Sequence, residues 1–110
     1  MREPIPPGTL DMLILQTLAR QGGGELHGFE IAEWIHRTTA DVLQVEEGSL
    51  YPALQRMLVK GWLAAEWGKT DENRRARYYR VTAAGRKHLE REVESYRRVS
   101  FAIASVLQPA

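Results

Sequence analysis

The spacing of apolar residues along this chain changes period twice, and that double change restricts the fold more than any other feature. As far as Leu58 the apolar residues recur three and four apart, from Trp62 to Val81 they alternate, and from Leu89 the helical spacing returns. In the first regime, Pro4-Ile5-Pro6-Pro7 cannot continue a regular element, and Thr9 supplies an N-cap oxygen before Leu10, Leu13, Ile14 and Leu18. This predicts a first helix to about Arg20, stopped by Gly22-Gly23-Gly24. A second helix is expected from near His27 to about Thr38, with Ile31, Ala32 and Ile35 on one face. A third follows Glu47-Gly48, with Ser49 as N-cap and Pro52 early enough that its missing N–H costs no intrahelical bond. Its buried face is Leu50, Leu54, Met57 and Leu58, and Gly61 ends it.

In the second regime Leu63, Ala65 and Trp67 share one face of a strand, Tyr79 and Val81 one face of another, and residues 68–75 form a polar hairpin loop. Of the two adjacent tyrosines, Tyr79 is the expected core residue. Thr82 then caps a last helix in which Leu89, Val93, Tyr96, Ser100, Ile103 and Leu107 are spaced four and three apart in alternation. The expected fold is mainly α with a small β-hairpin: a winged helix-turn-helix over residues 1–82, its third helix at about 49–60 and its wing at about 62–82, and then a long dimerisation helix over 83–110.

Composition places the chain among single globular domains: 110 residues, 44% hydrophobic and 26% charged. There are no cysteines, so disulfides and thiolate-held metals are excluded, and a cytoplasmic setting is expected. The N-terminal apolar run Met12-Leu13-Ile14-Leu15 is too short to span a bilayer, and no membrane association is expected. The net charge is only +1, but it is unevenly spread. Residues 1–47 carry three basic and eight acidic side chains, residues 48–88 nine basic and three acidic. A cationic stretch confined to one part of the chain suits a polyanionic partner.

The residues themselves point to duplex DNA as that partner. On the face of the third helix opposite its leucines stand Tyr51, Gln55, Arg56 and Lys60. Gln55 has the donor and acceptor pair that matches an adenine edge and Arg56 the fork that matches guanine, while Ser49 and Tyr51 at the helix start suit phosphate oxygens. The hairpin adds Lys69, Arg74, Arg75 and Arg77 for flanking backbone or minor groove. No catalytic residues, metal site or cofactor are expected. His27, His36 and His88 are scattered, and no nucleophile or carboxylate pair has catalytic spacing. Winged helices also serve as protein-interaction modules, which need not concentrate basic charge in this way.

The apolar stripe of the last helix has no later element to cover it. Left open, it exceeds what soluble monomers usually expose, and a symmetric second copy resolves this. The alternative is that it folds back on the first helix of its own chain.

Four stretches, Leu26-His27-Gly28-Phe29-Glu30-Ile31, Glu47-Gly48-Ser49-Leu50-Tyr51-Pro52-Ala53-Leu54, Gly61-Trp62-Leu63 and Arg77-Tyr78-Tyr79-Arg80-Val81-Thr82-Ala83-Ala84-Gly85, resemble the signature of PadR-like transcriptional regulators. The resemblance runs from about Thr9 to Leu107 and matches the short form with a single C-terminal helix. It implies a repressor whose dimer is held by that helix against its partner and against the partner's N-terminal helix. Leu10 and Ile14 would then join Leu89, Val93, Tyr96, Ile103 and Leu107 at the interface. It also implies Tyr51 and Pro52 at the DNA backbone and Arg77 near the wing base. Some short members hold planar aromatic compounds between subunits with an aromatic side chain of the last helix, and Tyr96 occupies the matching place, so a small aromatic effector is a further expected partner.

Overall fold

The computed structural model describes residues 5–6, 8–20 and 24–109. The order of elements is α1 (Leu10–Arg20), β1 (Leu26–His27), α2 (Gly28–Thr38), α3 (Glu47–Val59), β2 (Leu63–Lys69), β3 (Arg75–Val81) and α4 (Ala83–Leu107). Gly22, Gly23, Pro4 and Pro7, assigned above to the ends of the first helix, lie outside the described residues.

Three helices enclose a core whose fully buried side chains are Ile14, Leu15, Leu18, Ile31, Leu50, Leu54 and Met57. Each such side chain contributes about 1.5 to 3 kcal/mol of transfer free energy, so this cluster is the principal source of stability. One side of the core is closed by an antiparallel sheet of strand order β1-β3-β2. The pairing sets Leu63 opposite Val81 and Ala65 opposite Tyr79, which places the inward residues of both long strands over the helices. Tyr79 is buried and Tyr78 only half-buried, as the alternation requires.

Several local expectations are corrected. Thr9 does not cap α1 with its oxygen; its hydroxyl donates to the Pro6 carbonyl at 2.6 Å. The N-cap of α3 is Glu46 rather than Ser49, and it makes no side-chain cap bond. The helix therefore starts two residues earlier than expected, with Ser49 and Leu50 both donating to the Glu46 carbonyl. Pro52 consequently sits within the helix and leaves the Gly48 carbonyl without its i+4 donor. Leu58 is half-buried, and Ala53 takes the core position beside Leu54 instead. The hairpin loop is shorter than expected: strand pairing continues to Lys69 and Arg75, and Asn73, with φ 62°, closes the turn. The short strand β1 had no periodic signal, because two residues are too few to show alternation.

His27 and His36 serve the backbone. The His27 ring accepts from the Glu30 amide while the Glu30 carboxylate accepts from the His27 amide, a reciprocal cap on α2. His36 Nε2 accepts from the Val45 amide at 2.8 Å, tying the α2–α3 connection to α2.

The end of α3 and the start of α4 meet at Trp62. Gly61, with φ 78°, lets the Gly61 and Trp62 amides donate back to the Leu58 and Met57 carbonyls. The Trp62 carbonyl then accepts from the Thr82 amide, and the Thr82 hydroxyl both donates to the Gly61 carbonyl and caps α4 at Gly85. Gly85 packs directly on the Trp62 carbonyl oxygen, and a Cβ there would also lie 2.9 Å from Val81 Cγ2. Because the obstruction is backbone, Gly85→Ala is expected to destabilise the fold by about 2 kcal/mol or more, seen as a lower midpoint in thermal denaturation. A midpoint equal to wild type would show that this junction yields freely.

Candidate nucleic-acid interface

Helix α3 offers two exposed flanks. Residues seven and four apart fall on one side, so Ser49, Arg56 and Lys60 form one flank, while Tyr51 and Gln55 form the other, all exposed. The two flanks have different surroundings. Tyr51 and Gln55 line a cleft whose opposite wall is the wing, with Trp67, Arg74, Arg75 and Arg77. Ser49, Pro52, Arg56, Lys60 and Lys69 do not line it.

The first flank is engaged within the chain. Arg56 reaches Asp11 of α1 at 2.7 Å, and the Lys60 ammonium lies 4.7 Å from the centre of the Trp62 ring. Arg56 and Lys60 thus lie away from the cleft that Tyr51 and Gln55 share with the wing. A turn of 100° per residue carries Arg56 round to α1 and leaves Gln55 over the cleft. The Arg56–Asp11 pair is partly exposed, so its net worth is under about 1 kcal/mol and the guanidinium is readily released to a competing anion.

The cleft is aromatic and cationic. The Tyr51 ring lies on Gly28 at the start of α2, so close that a Cβ on Gly28 would be 2.8 Å from the phenol oxygen. Across from it, cross-strand pairing puts Trp67 opposite Arg77 and Lys69 opposite Arg75, all four on the face that continues outward from the core. Among the described residues no carboxylate is within ion-pair distance of Arg74, Arg75 or Arg77; Glu66 pairs with Arg80 on the other face, at 3.7 Å. The acids that do line the cleft are Glu30, committed to the α2 cap, and Asp71 and Glu72 at the loop. Burial pushes the Tyr79 phenol above its usual range, with Arg77 opposing, and desolvation with the Glu30 and Asp71 charges does the same for Tyr78. Both hydroxyls therefore stay neutral at ordinary pH and add no negative charge facing a polyanion.

Of the exposed apolar residues that the sequence did not single out, three stand at or beside this site. Val59, 79% exposed, follows Gln55 by four residues on the outermost line of α3. Phe29 lies at the cleft's edge on α2, and Trp67, placed above only as a strand residue, is 59% exposed on the wing. Only an exposure value distinguishes such residues from core, because periodicity marks apolar positions without saying where the core ends.

The expected interface residues divide likewise. Ile14 has no exposed surface and Leu89 only 7%, so both belong to the chain's own core rather than to a surface a partner can reach. This corrects their assignment, and the reason is that α4 packs its first turns on α1. Leu10 and Val93 are half-buried, and Tyr96, Ile103 and Leu107 are exposed. Val99 and Val106, also exposed, flank the same stripe and widen it, while Phe101 lies on the far side.

A helical core carrying a three-stranded wing, with a long helix projecting after it, defines a winged-helix protein of the regulator type. The chain matches the model of the transcriptional regulator PadR-like family over residues 14–91, and it belongs to that family, whose members are DNA-binding regulators and not enzymes. Among solved structures it is similar to a transcriptional regulator from Clostridium thermocellum, 27% identical, covering 92% of this chain and 95% of that one with a TM-score of 0.81. A PadR-like transcriptional regulator from Bacillus cereus is 26% identical over 94% of this chain and 95% of that one, TM-score 0.77. A PadR family transcription regulator from Clostridium difficile is 25% identical over 92% and 100%, TM-score 0.76. No helix among the described residues is long and apolar enough to cross a membrane.

Gly28→Ala tests whether the Tyr51 contact matters for function. The added methyl meets the far end of a flexible side chain, so the fold is expected to hold while the ring is displaced and DNA affinity drops. Unchanged affinity in electrophoretic shift assays, with a folded variant, would remove Tyr51 from the interface.

Proposed function

We propose that this regulator is a homodimeric repressor that reads a palindromic operator with α3 and grips the flanking backbone with the wing. The observation that supports this most directly is the shared cleft, where Tyr51 and Gln55 face Arg74, Arg75 and Arg77 without ion-paired carboxylates on those arginines. In this reading Gln55 takes an adenine edge and Val59 a thymine methyl, while Ser49, Tyr51 and Pro52 lie along phosphates at the start of α3. Arg56 leaves Asp11 for a guanine edge or the backbone on the α1 side, with Lys60 beside it. Lys69, Arg74, Arg75 and Arg77 neutralise phosphates next to the groove that α3 enters.

Residues 83–110 form the dimerisation part in this reading and the preceding residues the DNA-binding part. The exposed stripe of Tyr96, Val99, Ile103, Val106 and Leu107 supports it, since apolar surface of this extent favours a partner. Leu10 and Val93 lie at its margin. A two-fold axis along α4 would present two α3 helices to successive major grooves, about 34 Å apart. Tyr96, half exposed on the stripe, offers a planar effector a ring to stack on between subunits, and such a ligand would relieve repression by shifting the spacing of the two α3 helices.

Two experiments test the reading. Neutralising Arg74 and Arg75 to Gln is expected to lower affinity for all duplexes and to reduce the slope of log affinity against log salt by about 1 to 2; an unaltered slope removes the wing from the backbone. Ile103→Asp is expected to yield a monomer in sedimentation, with the operator affinity of the dimer lost. A wild-type chain that sediments as a monomer at micromolar concentration and still binds a palindrome tightly would refute the dimer.

A further inference from the structure

The wing arginines lack the partners that usually hold a guanidinium. Among the described residues Arg56, Arg80 and Arg98 each have a carboxylate within ion-pair distance, and Arg75 and Arg77 have none. Both lie instead over the indole of Trp67, with guanidinium carbons 4.2 Å and 5.8 Å from the ring centre. Strand register produces this arrangement. Arg77 is directly opposite Trp67, and Arg75 is opposite Lys69, the next residue on the same face.

Core packing does not account for Trp67, which is 59% exposed and lies outward of the inward-facing pairs Leu63–Val81 and Ala65–Tyr79. Its chemistry suits another task. A carboxylate at this position would align the guanidiniums but cancel their charge; the face of an indole attracts a cation through its quadrupole and leaves the charge and the N–H edges free. An arginine that grips a phosphate loses rotamer freedom at that moment, and holding it extended beforehand removes part of the loss. A second indole, Trp34, is flanked by Arg20 and Arg37, but none of these three lines the cleft.

We propose that Trp67 is a positioning residue of the wing, holding Arg75 and Arg77 extended in the cleft they share with Tyr51 and Gln55 so that duplex DNA meets guanidiniums already in place. This rests on the reading that the wing grips DNA. It predicts that Trp67 acts on affinity only through the two arginines, and that any aromatic ring at this position will serve.

The test is titration of the full chain onto a dye-labelled random-sequence duplex at low salt, read by fluorescence anisotropy, with circular dichroism to check the fold of each variant. Trp67→Leu is expected to weaken binding about three- to tenfold, and Trp67→Gln, the second variant in case the first perturbs the strand, by a similar factor. Trp67→Phe is expected to stay within about twofold of wild type, because the ring face is kept. In the Arg75→Gln, Arg77→Gln background, adding Trp67→Leu is expected to cost nothing further. A folded Trp67→Leu or Trp67→Gln chain that binds like wild type overturns the inference, as does a Phe variant as weak as the Leu variant. A further loss in the arginine-free background also overturns it, since Trp67 would then touch DNA itself. If the double arginine variant alone binds like wild type, the wing reading fails and the inference with it.

Discussion

The carbonyl and ring of Trp62 hold together α3, the hairpin and α4. The residue lies between the end of α3 and the start of β2 and receives the start of α4: its amide closes the α3 terminus on Met57, its carbonyl accepts from Thr82, and Gly85 packs against that carbonyl. Its ring stacks on His88 of α4 at 3.6 Å between centres, nearly parallel at 12°, and receives Lys60 of α3 on a face. The end of α3, the hairpin and the long projecting helix therefore share one corner made of backbone hydrogen bonds.

From that corner the chain divides its apolar residues between two uses. The first turns of α4 close the core through Leu89, and the later turns carry apolar side chains that no element of the same chain covers. The molecule is accordingly elongated, 57 × 32 × 24 Å. Stability thus comes from a compact helical core and its sheet, while much of the exposed apolar surface lies on the later turns of one extended element.

The charge distribution follows a comparable division. Several carboxylates are held by partners within the chain: Asp11 pairs with Arg56 and Glu66 with Arg80, both pairs partly exposed, and Glu30 caps α2 by accepting from the His27 amide. On the cleft side of the wing the arginines are left with an aromatic neighbour in place of an acid. Field strength toward a polyanion depends on charge that is not cancelled nearby, so the inner face of the wing retains it and the outer face does not.

Much of this was legible in the residues themselves. The change from helical spacing to alternation and back located α1 to α4 and the hairpin to within a few residues, because burial on one face imposes a period that survives in the order of residue types. Gly61 and Thr82 marked real boundaries for the same local reason: a left-handed turn and a helix cap need particular side chains. Ser49 misled, since the carbonyl of Glu46 accepted the first helical bonds and the helix began without a side-chain cap. The tertiary structure alone decided which exposed residues meet. Adjacent positions on α3 part company, Gln55 toward the wing and Arg56 toward Asp11, and Ile14 and Leu89 vanish into the core while Ile103 and Leu107 stay outside. Local spacing determines the face a side chain takes on its own element; what that face meets depends on how distant elements pack, and no residue's own chemistry carries that information.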